Sequence, residues 1–242
     1  DEYEPIWDLF GFQMAPLTSR LPLMTTVGNH DVFYNATAFR HRYVMPGDVE
    51  GGNGNMWFSW VTGNIHFTSM STETDYSVGS PQWEWLQRDL AAAAAARAAG
   101  TVDWIVFLAH RPVYSADANE WAQHHPGAPL QTSVEPLVTK SGVDIVVTGH
   151  MHCYERVDPV VNGSVVSTTG PAPVGSNITG GVVYTNPEAP VYVVVGTAGA
   201  VQEEEWVAPL PAWSAFRAAN TLSSYGYGWL ETPDAQHLHF TF

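Results

Sequence analysis

Positive charge is scarce in these 242 residues: 9 lysines and arginines stand against 24 acidic side chains, a formal charge of −15. Lys140 is the only lysine. Nucleic-acid binding by phosphate neutralisation needs clustered Lys and Arg, so the composition argues against it. An anionic substrate would have to be attracted by something else, and a pair of metal ions would serve. Cysteine is scarcer still. Cys153 stands alone, which excludes an intrachain disulfide and leaves the redox compartment open. No run of about 18 apolar residues occurs, so no segment reads as a membrane-spanning helix. Charged residues are only 14% and hydrophobic ones 45%, the balance of one packed globular domain rather than a disordered chain.

What is present alternates between buried strands and helices. Ile6, Trp7, Phe10, Met14 and Leu17 have helical spacing, predicting a helix within residues 4–20. LMTTV (23–27) reads as a short buried strand running into Gly28-Asn29-His30-Asp31. MWFSWV and NIHFTSM around Thr62-Gly63 read as a hairpin. Ser80-Pro81 starts a helix, with serine as its cap, that Gly100 stops; the alanine run 91–96 lies on its surface. TVDWIVFLAH, VDIVVTGH and VYVVVGTAG read as strands covered on both faces, with a short helix near 133–141. YGYGWLE and HLHFTF alternate like an antiparallel pair at a sheet edge. One α/β domain over residues 1–242 is expected.

Three of these strands end on polar residues suited to chemistry. LMTTV leads to Asn29 and His30, WIVFLA to His110, and DIVVTG to His150 and His152. Ligand sites of α/β sheets form where strand carboxyl ends meet loops, so residues far apart in sequence can converge there. Histidine nitrogen and asparagine oxygen suit zinc, manganese or iron. On an extended segment, His150 and His152 would point the same way, toward one object. Each feature has a blander reading. Asn29-His30 could be a simple turn, and His110 alone would read as a core histidine. His41, His66, His237 and His239 read as structural, and Cys153 as a small buried residue. Tyr154-Glu155-Arg156 reads as an ion pair that orients a loop.

GNHD, LAH and GHMH resemble sequence blocks of the metallophosphoesterase superfamily. The stretches STETDYSVGSPQWEWLQRDL, AHRPVYS, GHMHCYER, VYVVVGTAGA and SSYGYGWLE narrow the resemblance to the purple acid phosphatases, and it covers most of the chain. The resemblance implies a β-sandwich of two mixed sheets flanked by helices. It implies two metal ions, Fe3+ plus Zn2+, Mn2+ or Fe2+, with Asn29, His110 and His150 on the divalent ion and His152 on the ferric one. The ions would clamp a phosphate ester and generate a hydroxide for in-line attack. His30 would face the phosphate and protonate the leaving oxygen. His124 and His125 are candidates for further phosphate contacts.

The family's DxG and GDxxY blocks find no counterpart here; Asp1-Glu2-Tyr3 has the wrong spacing. The expectation is therefore an N-terminally truncated catalytic domain that lacks its first strands and is inactive as an isolated fragment. Sequons at Asn35, Asn162 and Asn177 favour a secreted or vacuolar glycoprotein, its signal peptide outside this sequence. The expected activity is acid hydrolysis of small phosphate monoesters. Its rivals are a phosphodiesterase or nucleotide pyrophosphatase on the same fold, and a non-catalytic metal-binding secreted glycoprotein.

Overall fold

The computed structural model describes residues 4–48, 53–167, 170–171, 181–202, 205–217 and 225–242. Helices α1 (Glu4–Thr18) and α2 (Phe33–Arg42) precede a 3-10 turn at Pro46–Asp48. Strands β1 (Phe58–Thr62) and β2 (Ile65–Ser69) form the expected hairpin, turning at Gly63 with φ +59°. Helix α3 (Pro81–Ala98) leads to β3 (Trp104–Leu108), then α4 (Trp121–His124), α5 (Pro129–Lys140) and β4 (Ile145–Thr148). Next come β5 (Tyr154–Val157) and the short pairs β6 (Val160–Val161) with β7 (Ser164–Val165) and β8 (Gly170–Pro171) with β9 (Val182–Val183). Strands β10 (Val191–Val195), β11 (Ser214–Arg217), β12 (Trp229–Asp234) and β13 (His237–Thr241) complete the chain.

Seven strands make the central mixed sheet in the order β1-β2-β3-β4-β10-β5-β11. The middle four, β2, β3, β4 and β10, pair in parallel, and antiparallel strands flank them. Their β-branched runs are buried on both faces, as a parallel sheet demands. On one face α3 contributes Trp85, Leu86 and Leu90 and α5 contributes Val134 and Val138 to the main core. Trp83 Nε1 donates to Ser133 O at 3.0 Å and ties the two helices. The Ser80 hydroxyl caps α3 by accepting Trp83 N at 3.2 Å. On the other face Leu230, Leu238 and Phe240 of β12 and β13 cover Val106, Ile145 and Val193.

The last observation refines the expected sandwich. Among the described residues the second layer is this two-stranded hairpin, stacked on the sheet face instead of extending an edge. Residues 23–27 also differ from expectation, because they form no strand. Thr26 reaches Ser69 at the end of β2 through a 2.9 Å hydroxyl contact, but β1 and β3 already pair with both edges of β2. Helix α1 forms as predicted but buries none of its residues; Ile6, Phe10 and Leu17 stand exposed, and Trp7 alone packs partly against the core. The sequon at Asn177 lies outside the described residues, whereas Asn35 and Asn162 are exposed.

Candidate metal centre

Asn29, His110 and His150 each sit where the chain turns after buried residues. After fully buried Val27, the Asp31 carboxylate accepts Gly28 N at 2.7 Å and Asp31 N donates to Gly28 O at 3.0 Å. Asp31 thus closes the turn that presents Asn29 and His30. Gly28 must lack a side chain, since a methyl there would stand 2.9 Å from the His110 ring. The ends of β3 and β4 deliver His110 and His150, and Gly149 N donates to His110 O at 2.9 Å, fastening the two ends together.

Three of the predicted residues converge. Asn29 Oδ1 lies 2.7 Å from His110 Nε2, which lies 3.1 Å from His150 Nδ1. Residues 81 and 40 positions apart thereby aim one amide oxygen and two ring nitrogens at each other. This donor set fits a borderline divalent ion. Burial, helped by His150 and Arg111, pulls the His110 ring down to about 3, and burial also lowers His150. An imidazole must be neutral to offer a lone pair to a metal, and burial favours the neutral form of both rings.

His150 and His152 do not share a direction, contrary to the extended-segment expectation. His150 has φ +65°, and Met151 N to Gly149 O at 2.8 Å and Cys153 N to Met151 O at 2.7 Å curl the segment tightly. His150 turns inward. His152 turns to the loop at Val201, whose carbonyl lies 2.7 Å from its Nδ1. Donation from that nitrogen leaves the Nε2 lone pair available. The curl needs Gly196, where a methyl would lie 1.8 Å from the Met151 carbonyl oxygen. His30 is exposed on its turn, and both His30 and His152 are close enough to His110 to depress its ionisation further.

The candidate phosphate histidines part company. His124 is only 1% exposed, its Nδ1 2.7 Å from Pro112 O and its ring 6.0 Å from that of His150. Half-buried His125 lies against Trp121, with ring centroids 5.6 Å apart. Burial lowers His124 to about 4.

Sequence reasoning overlooked a charged group behind His150. Glu120 Oε2 lies 2.7 Å from His150 Nε2 and 3.2 Å from Arg111 Nη1. Arg111 also reaches Glu73 through Nε at 2.8 Å and Nη2 at 3.3 Å. Burial pushes Glu120 up, but the His150 hydrogen bond and the charges around it prevail and hold its carboxyl low. The available signals were modest: Arg111 directly follows His110, and Glu120 stands four residues before His124. Glu155 also differs from expectation. It is fully buried and accepts Ser115 Oγ at 2.8 Å, Ala116 N at 3.0 Å and the Ser214 hydroxyl. It orients the loop after His110 through hydrogen bonds, while Arg156 lies over Phe216 at 5.8 Å.

Known proteins share this arrangement of elements. The calcineurin-like phosphoesterase family model matches residues 3–154, and that of the iron/zinc purple acid phosphatase-like protein C matches 189–242. Purple acid phosphatase 18 of Arabidopsis thaliana is 32% identical over 98% of this chain and 49% of its own length. Acid phosphatase type 7 of Homo sapiens is 34% identical over 97% of this chain and 52% of its own. The chain therefore spans about half the length of these relatives. The purple acid phosphatase PPD1 from yellow lupin (Lupinus luteus) seeds superposes with a TM-score of 0.71 over 93% of this chain and 38% of that one. Its 24% identity makes it evidence of fold alone. Among the described residues no helix is long and apolar enough to cross a membrane. A dinuclear metal centre is what this family implies. With the family models, the sequence relatives and the fold in agreement, the chain belongs to the calcineurin-like phosphoesterase family, on its purple acid phosphatase branch.

Proposed function

We propose that this chain carries the core of an acid phosphatase that hydrolyses small phosphate monoesters. The observation that supports the reading best is the convergence of Asn29 Oδ1, His110 Nε2 and His150 Nδ1. In this reading these three hold Zn2+, Mn2+ or Fe2+, and His152 offers Nε2 to a neighbouring Fe3+. Two such ions, when bound, supply the positive charge that clamps the phosphate and acidifies a water for in-line attack. The side chains do the rest. His30, exposed beside Asn29, donates a proton to the leaving oxygen. His125, half-exposed at the rim, is the member of its pair with surface to meet a phosphate, and His124 stands behind it. Exposed sequons at Asn35 and Asn162 support a secreted or vacuolar glycoprotein.

The test is His30→Ala in the full-length protein. It keeps its metal content and loses turnover by ~10²–10⁴-fold for alkyl phosphates, whose leaving oxygens are basic, with a smaller loss for nitrophenyl phosphate. Equal losses for both substrates would restrict His30 to positioning the phosphate. Unchanged turnover would remove it from the site.

A further inference from the structure

We propose that the cavity between α1 and the start of α2 is a subsite for an uncharged aromatic ring, the leaving group of the phosphate ester. The cavity measures about 140 Å³, and its walls include Glu4 and Trp7 of α1 together with His30, Asp31, Phe33 and Tyr34. A cavity of roughly 150 Å³ holds one benzene molecule, so this one matches a single six-membered ring. Trp7, Phe33 and Tyr34 give it three aromatic walls, surfaces that a flat ring meets in offset or edge contacts.

The position of the cavity gives the ring its role. His30 lines it and directly follows Asn29, whose Oδ1 lies 2.7 Å from His110 Nε2. The residue that protonates the leaving oxygen is therefore also a wall of the cavity, and a ring carried on that oxygen enters it. This role rests on the phosphatase reading above; the capacity to hold a ring does not.

Charge then selects among rings. Two carboxylates line the cavity, and among the described residues no lysine or arginine does. Glu4 and Asp8 grip Arg42 at 2.5 and 2.8 Å, fixing α1 against α2, while Asp31 accepts Gly28 N at 2.7 Å. An acidic substituent on the ring would be desolvated beside these carboxylates with no cation in the wall to pair with it. The backbone opposite α1 is strained as well. Tyr34, Asn35 and Ala36 have φ of +52°, +60° and +55°, a left-handed turn unfavourable for residues with a Cβ. The Thr37 hydroxyl donates to Tyr34 O, and Ala36 N donates to Val32 O at 3.1 Å, so the turn is held in place. Strain of this kind is characteristic of ligand clamps.

Phenol binding and ester kinetics in the full-length protein test the site and its role separately. Phenol is expected to shift the Trp7 indole resonance in an NMR titration, and Tyr34→Ala to weaken binding by about 3–10-fold. Tyr34 is 77% exposed, so its loss spares the core. Trp7→Leu, verified as folded by circular dichroism, weakens binding too. The same ring with a carboxylate, 4-hydroxybenzoate, binds at least about tenfold more weakly than phenol. In both variants the ratio of kcat/KM for phenyl phosphate to that for ethyl phosphate falls by about 3–10-fold, through KM. No phenol binding in the folded protein, binding that neither variant weakens, or 4-hydroxybenzoate bound as tightly as phenol would overturn the proposal. So would an unchanged phenyl-to-ethyl ratio in a protein that hydrolyses both esters. If phenol binds as expected and no ester is hydrolysed, the phosphatase reading fails while the ring site stands.

Discussion

Gly196 occupies a position where the backbone of one loop presses on another with no space for a methyl group. A Cβ there would meet the Met151 carbonyl oxygen at 1.8 Å, one residue from His150 and one from His152. Gly196→Ala must push that loop away from the end of β10. The expected result is a folded protein whose divalent-ion affinity falls by about 10–100-fold, as for changes that misorient metal ligands; a zinc or manganese titration measures it. Unchanged affinity would mean that the loop absorbs the shift without moving His150. At this scale the sequence was legible in part. The convergence of Asn29, His110 and His150 could be anticipated because the two histidines follow buried strands and Asn29 follows buried Val27 and Gly28. Glu120 and Gly196 could not, because their importance arises from contacts with residues 30 and 45 positions away, respectively, that no local pattern records.

At the scale of elements, β5 shows how a strand can fix a site without touching it. Glu155 gathers the Ser115 and Ser214 hydroxyls and the Ala116 amide, joining the loop after His110 to the edge strand β11. Burial raises its carboxyl above the usual value of 4.5, against the opposing hydrogen bonds. The fold therefore favours the neutral acid. Its contribution to stability is complete below about pH 4.5 and is lost as pH rises through the raised folded value. Glu155→Gln is expected to gain stability relative to the original protein as pH rises from 4.5 to 7, by urea denaturation at each pH. A constant difference would show that Glu155 does not titrate across this range. Glu155→Ala removes the acceptor altogether and costs ~1–3 kcal/mol for each polar partner left unsatisfied. Elements with a local code were readable: Ser80-Pro81 begins α3, Gly63 turns the hairpin, and β-branched runs mark β3, β4 and β10. Residues 23–27 were misread because their composition suits a strand, while pairing depends on a free sheet edge. The stripe of α1 predicted a helix correctly but carried no information about what covers it.

Across the whole molecule, metal binding and folding share a free energy. An ion that binds only the folded chain stabilises it by ~2.7 kcal/mol at about one hundred times its dissociation constant. For a domain of this size that is a rise in melting temperature of roughly 5–10 °C. Zinc or manganese is expected to produce that rise, a chelator to reverse it, and His150→Ala to abolish it. The −15 charge gives divalent cations a favourable field before any specific contact forms. The layered α/β architecture was legible from the sequence, but the way β12 and β13 cover a sheet face was not. Their alternation fits an edge pair and a covering hairpin equally well.

The central claim is that Asn29, His110 and His150 meet on one divalent ion. Anomalous diffraction from crystals grown with one equivalent of zinc tests it most directly. A single strong peak is expected about 2.0–2.2 Å from Asn29 Oδ1, His110 Nε2 and His150 Nδ1. A peak elsewhere, or His150 Nδ1 turned away from it, would contradict the account.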